Sequence, residues 1–267
     1  MLKDITIGQY FPGDSFIHRL DPRTKILGVV LYIVALFTAS GLVSYLLTLA
    51  FLLVCVKVST IKLKTILKGV KPLIFIICFT AILNMFYTDG RVLVRFWIFK
   101  ITWEGLRMAF FMVARIIMLV TGTFLLTYTT SPITLTDGLE RLLQPLNRIH
   151  VPVHELSMMM SIALRFIPTL IEETDKIMSA QKARGAEFDT GNLLDKAKAL
   201  IPILVPLFVS AFRRADELAT AMECRCYTGG TGRTRLSPLV WHRRDTLGFS
   251  CGLLLLGFVI VLRVFGL

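Results

Sequence analysis

Acidic residues are scarce in this chain: 18 Asp and Glu stand against 30 Lys and Arg, a formal net charge of +12. Charges of either sign occupy only 18% of 267 positions, 55% are hydrophobic, and mean hydropathy is +0.69. A water-soluble chain of this length needs more polar surface, so the composition reads as a membrane protein. A basic excess can signal nucleic acid. Here apolar runs supply another cause, because membrane proteins keep Lys and Arg in cytoplasmic loops, and no nucleic-acid partner is expected. Cysteine is sparse as well. Cys55, Cys78, Cys224, Cys226 and Cys251 are odd in number and lack a framework spacing, so no disulfide architecture is expected. The N-terminal MLKDITIGQYFPGDSFIHRLDPRTK has no apolar core and does not read as a cleavable signal peptide.

Signatures of chemistry are missing too. The GGTGR stretch at 229–233 fails the phosphate-loop pattern, since Tyr227 takes the first Gly position and Arg233 replaces Lys. Two thiols in Cys224-Arg225-Cys226, with His242 the nearest His, do not make a metal site. No Ser/His/Asp arrangement or close pair of buried carboxylates suggests catalysis.

What is abundant is long apolar sequence. The run from Ile26 to Val56 would reach roughly 46 Å as one helix, too long for a hydrocarbon core of ~30 Å. Its middle, TASG, offers a turn, and both flanks carry cations: Arg19, Arg23 and Lys25 before it, Lys57, Lys62, Lys64 and Lys68 after it. The positive-inside rule then predicts a hairpin of two short spans with both ends cytoplasmic. Segment 70–87 is a third span. The following loop, RVLVRFWIFKITWEG, places Trp97 and Trp103 at a membrane interface, although Arg91, Arg95 and Lys100 run against the charge rule. Residues 105–130 return, and the terminal DTLGFSCGLLLLGFVIVLRVFGL makes a fifth crossing. The expectation is an all-α integral membrane protein with about five transmembrane helices, the N-terminus cytoplasmic and the C-terminus extracellular. Its regions would be 1–130 with about four spans, a cytoplasmic block of long helices at 131–243, and a last span at 244–267.

Within the block, apolar spacing predicts helices at 133–148, 153–186 and 192–225. Pro168 should kink or divide the second, and Pro202 and Pro206 the third. Asp175–Arg184, DKIMSAQKAR, is echoed 41 residues on by Asp216–Arg225, DELATAMECR. Both end in a small-Arg-small pattern: Ala183-Arg184-Gly185 and Cys224-Arg225-Cys226. As helix terminators, each Arg complements the macrodipole for about 0.3–1 kcal/mol and Gly185 is a left-handed cap. That leaves unexplained the small neighbours on both sides, which let a planar guanidinium reach into a partner groove.

On these residues the chain resembles the transmembrane T component of energy-coupling factor (ECF) transporters, the EcfT / CbiQ-like family. The similarity covers GQYFPGDSFIHRLDPRTK, the arm end ARGAEFDTGN and the second arm end CRCYTGG. It implies a non-catalytic coupling subunit in the prokaryotic cell membrane. Two coupling helices would each dock an x-Arg-x motif, through Arg184 and Arg225, on one of two ABC-type ATPases (EcfA and EcfA'). Those ATPases would bind the ATP and Mg, this chain holding no cofactor of its own. A substrate-binding S component for a vitamin or metal ion completes the complex in the lipid bilayer. Met158, Met159 and Met160 read either as core filler or, given the resemblance, as an adaptable surface for S components. Two other readings are a membrane enzyme built on Arg115 and Asn84, and a self-sufficient secondary transporter. The second needs paired span repeats and intramembrane acids that the spans lack. Arg115, midway along a span, calls for a partner whether it fixes packing or serves transport. Glu172, Glu173 and Asp175 read as a solvated face that could pair with Arg213 and Arg214.

Overall fold

A polar break turns the first apolar run into two helices. In the computed structural model α1 covers Pro22–Thr38 and α2 covers Leu42–Val58, with Ala39 extended at the end of α1 and Gly41 extended at the start of α2. The described residues are 10–88, 92–96, 99–186, 188, 192–229 and 238–266. Next come α3 (Leu63–Val70), a single 3-10 turn at Lys71–Leu73, and α4 (Ile74–Tyr87). Strands β1 (Val92–Phe96) and β2 (Phe99–Thr102) lead to α5 (Trp103–Thr129) and α6 (Pro132–Leu143). After a 3-10 stretch at Gln144–Ile149, the long α7 (Val153–Ala183) and α8 (Leu193–Cys224) follow, and α9 (Arg243–Val264) ends the chain.

The described residues form two compact units, one within Glu140–Pro238 and the other within Gly8–Leu139 and Leu239–Leu267. In the latter, α1, α2, α5 and α9 share a core of Tyr32, Leu36, Leu52, Met118, Leu255 and Val259. Outward faces are apolar as well: Phe75 of α4 is 79% exposed, Phe110 of α5 65% and Phe258 of α9 62%. Apolar surface on the outside as well as the inside is what a hydrocarbon solvent permits. Among the described residues, three helical segments are long and apolar enough to cross a membrane: Leu63–Phe86, Trp103–Thr129 and Arg243–Val264. At 17 residues each, α1 and α2 are shorter than the usual crossing of about 20.

Two polar ties fix how these helices begin. Asp21 accepts the Arg23 amide at 2.9 Å while Pro22 opens α1, a favourable N-cap arrangement. The Asp21 amide donates in turn to Asp245 Oδ1 at 2.7 Å, and Asp245 Oδ2 accepts the His242 amide at 2.8 Å. One buried carboxylate thus joins the starts of α1 and α9. Lys25 is buried beside it and donates to the carbonyls of His18 and Thr129 at 3.1 and 2.9 Å.

Arg115 finds its partners at the α1–α2 turn. Its guanidinium lies 5.7 Å from the Phe37 ring and 5.6 Å from the Tyr45 ring, with Nη2 3.5 Å from the Ala39 carbonyl. A cation between two aromatic faces at a helix C-terminus is a packing pin.

One expectation needs correction. Residues 91–105 were expected to be a loop; instead β1 and β2 pair antiparallel, with Arg95 opposite Lys100 and Phe96 opposite Phe99. The β-branched and aromatic run outweighs its three cations. Trp97 and Arg91 lie outside the described residues, as do 230–233 of the GGTGR stretch. Trp103, 59% exposed at the head of α5, keeps its interfacial character. The internal prolines do not divide their helices: α7 runs unbroken through Pro168 and α8 through Pro202 and Pro206. Lacking an N–H, Pro206 strands the carbonyl four residues earlier, and Gln181 Nε2 of α7 reaches that Pro202 oxygen at 3.4 Å.

Candidate functional site

The ends of α7 and α8 adopt the same local structure. At the first, Arg184 is the last near-helical residue, Gly185 follows at φ 87°, and the Gly185 amide donates to Lys182 O at 3.0 Å. The Ala186 amide then closes back on Gln181 O at 3.0 Å. At the second, Arg225 takes the same place and Cys226 the left-handed position at φ 54°. The Cys226 amide donates to Glu223 O at 2.8 Å and the Tyr227 amide to Met222 O at 3.0 Å. Both are Schellman caps, a 6→1 bond around a 5→2 bond. The sequence echo of 41 residues is therefore an echo in backbone geometry that continues past each Arg. Gly185 was legible as a cap. Cys226 was not, because a side chain disfavours that conformation.

That strain has a measurable size. Cys226→Gly should stabilise the cap by about 1 kcal/mol, since glycine removes the left-handed penalty. Thermal denaturation of the purified chain, or amide exchange at Tyr227, would register it; no change would mean that the position is unstrained.

Ala183, Arg184, Gly185, Cys224, Arg225 and Cys226 are all exposed, and all five cysteines are free thiols. Among the described residues neither Arg184 nor Arg225 has a side-chain hydrogen bond or an ion pair. Among the described residues, then, two guanidiniums at helix ends, flanked by small residues, are unpaired.

The two ends point away from each other. Glu173 of α7 accepts the Ser210 hydroxyl and Arg214 Nη2 of α8, the latter at 3.1 Å, while Gln181 meets Pro202. Moving forward along α7 means moving backward along α8, so the helices pair in antiparallel sense. Counting outward from the Glu173–Ser210 contact at 1.5 Å per residue, Arg184 and Arg225 could lie up to about 40 Å apart along the pair.

The acidic face is partly engaged, as expected of a pairing with α8: Glu173 meets Arg214, whereas Glu172 is exposed. The Ser210 hydroxyl and then Arg214 hold the Glu173 carboxyl below the usual carboxylate range, against the opposing effect of partial burial. Because the folded value lies below the unfolded one, this contribution is complete above the unfolded carboxylate value, ~4.3. It fades as pH falls through the folded value. Glu173→Gln should therefore flatten the acid side of the stability profile, and an unchanged acid limb would contradict it.

Of the methionines, Met158 is half-buried, whereas Met159 is 53% and Met160 37% exposed. An unforeseen companion is the stripe on α8 formed by Leu200, Leu204, Phe208 and Phe212, every one exposed and Phe212 by 69%. Its i, i+4 spacing was visible in sequence; its lack of cover was not.

A second feature that the sequence reading missed is the foot of α7. Glu140 Oε1 lies 3.1 Å from His154 Nδ1, and Oε2 accepts the Ser157 hydroxyl at 2.8 Å. The Ser proton points at the carboxylate, so this is a clamp, and it lacks the Ser-to-His order of a nucleophile. Arg115 and Asn84 do line one cavity of about 480 Å³ with Glu104 and Arg107, but its walls contain no Cys or His. Asn84 is engaged there with Thr80 O at 2.8 Å.

Fold and helix ends together define a multi-pass membrane protein that carries a matched pair of arginine helix ends. The family model described as cobalt transport protein (CbiQ) matches residues 13–236. The chain is 56% identical over 266 residues to the energy-coupling factor transporter transmembrane protein EcfT of Clostridium kluyveri, covering 99% of this chain and 98% of that one. It is 54% identical over 259 residues to the protein of that name from Thermosediminibacter oceani, covering 97% and 98%. With the Bacillus subtilis protein the identity is 48% over 247 residues, covering 92% and 93%. The chain belongs to the EcfT/CbiQ family and is a transporter membrane subunit.

Proposed function

We propose that this chain couples two ATPase subunits to a substrate-binding S component in an ECF-type importer of a vitamin or metal ion. The observation that carries the reading is the duplicated cap, which places Arg184 and Arg225, unpaired among the described residues, at opposite ends of one antiparallel helix pair. One docking point would suit one partner; two matched points facing apart suit two similar partners. ATP and Mg belong to those partners, and this chain performs no hydrolysis. ATP-driven closure of the ATPases would draw on both helix ends at once. The Glu173–Ser210–Arg214 cluster lies between the ends, so displacement of one arm would be felt by the other. Met159, Met160 and the Leu200–Phe212 stripe supply an apolar surface for the S component, which would be reoriented to release its cargo inward.

Orientation follows the charges. The N-terminus and the block at 131–243 lie on the cytoplasmic side, and five crossings with short α1 and α2 leave the C-terminus outside. Purification of the full chain from native membranes should bring down two ABC-type ATPases and a small apolar protein. Recovery of the chain alone, with transport intact in the same membranes, would refute the assignment.

A further inference from the structure

A cleft of about 440 Å³ opens among α1, α2, α5 and α9, walled almost wholly by apolar atoms from residues such as Val29, Phe51, Leu125 and Cys251. Phe16, Val54 and Leu247 also line it and are themselves exposed, so it opens to the outside of the helix bundle. Gly28, in the interior of α1, forms part of the wall, and a Cβ built there would meet nothing within 4 Å. A helix-interior glycine weakens its helix relative to alanine. No close approach of another element explains it at Gly28; what its missing side chain does is keep the cleft open.

The segments that line the cleft also carry exposed cations close in sequence to its lining residues. Arg19 sits between the lining residues Ile17 and Leu20, Lys57 precedes Val58, and Arg243 and Arg244 lie one turn before Leu247. All four cations are exposed. Of the acids nearby, one pairs with Arg19, and among the described residues Lys57, Arg243 and Arg244 form no ion pair. Asp14 is 3.8 Å from Arg19, while Asp21 and Asp245 are buried and committed to helix starts. One turn of α-helix about 10 Å across and 5.4 Å high fills roughly 420 Å³, close to the volume of the cleft. A thin flexible chain suits such a narrow apolar space.

We propose that this cleft is a binding site for one anionic phospholipid, with an acyl chain lying along Gly28 and the headgroup phosphate held by the cationic rim. The lipid would form part of the packed bundle and fill space that the side chains leave empty. The site is separate from Arg184 and Arg225, and its test does not depend on their role.

The full chain, purified in mild detergent and incubated with dioleoyl phosphatidylglycerol or dioleoyl phosphatidylcholine, can be read by native mass spectrometry. The wild type should retain one phosphatidylglycerol and about tenfold less phosphatidylcholine, a difference of roughly 1.4 kcal/mol. Gly28→Leu places its side chain in the cleft and should lower phosphatidylglycerol retention about tenfold or more. Leucine also favours helix, so its melting temperature should not fall. Gly257→Leu, on α9 where a Cβ likewise meets nothing and outside the cleft, should retain lipid as the wild type does. Lys57→Gln with Arg244→Gln should erase the preference for the anionic lipid and leave the cleft unfilled. Equal retention by wild type and Gly28→Leu would overturn the site. Equal retention of both lipids by the wild type would overturn its anionic character. Should a partner helix occupy the cleft, Gly28→Leu would block complex assembly with lipid retention unchanged, which also refutes the proposal.

Discussion

Arg184→Ala combined with Arg225→Ala should abolish ATPase association and substrate uptake and leave the chain folded. Two physical accounts of these arginines differ in magnitude, so the experiment separates them. A helix-terminal cation contributes about 0.3–1 kcal/mol to stability. If that were its whole role, each substitution would lower the melting temperature slightly and transport would continue. A guanidinium buried in a partner groove, hydrogen-bonded to carboxylates or carbonyls, costs ~2–5 kcal/mol of association when truncated. Each single variant should then weaken assembly by between tenfold and several thousandfold. Arg184→Lys sharpens the comparison: it keeps the charge at the helix end and loses the planar fork, so it restores stability without restoring full association. Uptake at wild-type rate in the double alanine variant would leave only the helix-terminal role.

Asp245→Ala should be the most damaging single change in the membrane region. Asp245 is 1% exposed, and its two oxygens accept the Asp21 and His242 amides at 2.7 and 2.8 Å. Removing it strands a buried amide at the start of α1 and deletes the capping box of α9. It also takes away a negative neighbour of the buried Lys25 ammonium. A lost charge-assisted hydrogen bond costs about 1.5–3 kcal/mol, and an uncompensated buried group adds to that, so a total near 3–5 kcal/mol is expected. Chemical denaturation in detergent should show it as a large midpoint shift with the slope unchanged. Asp245→Asn, which keeps one acceptor, should fall between. A shift below about 1 kcal/mol would mean that water or other groups satisfy both helix starts.

What the sequence disclosed and what it hid divide along the range of the interactions. The α1–α2 break at Ala39–Gly41 was legible because a polar, Gly-containing step interrupts the apolar run. The limits of α7 and α8, and the echo that ends at Arg184 and Arg225, rest on local periodicity and were legible too. The Asp21–Asp245 tie joins residues 224 positions apart, and no pattern along the chain announces it. That α8 runs on through Pro206, with Gln181 of another helix reaching the Pro202 carbonyl, is a contact between helices that the local rule for proline does not contain. The β1–β2 hairpin was hidden by Arg95 and Lys100, whose charges read as loop. Cys226 in a left-handed cap is a departure from local preference at a helix end, and such departures gather where a terminus is kept for binding.

The most direct measurement places a photocrosslinking residue at Ala183 in one variant and at Cys224 in another, within the membrane complex carrying distinguishable ATPase subunits. Each position flanks an arginine without replacing it. The expected result is that the two ends capture different ATPase subunits, each with little yield on the other. Capture of the same subunit from both ends, or of neither from either end, would contradict the pairing of two matched helix ends with two ATPases.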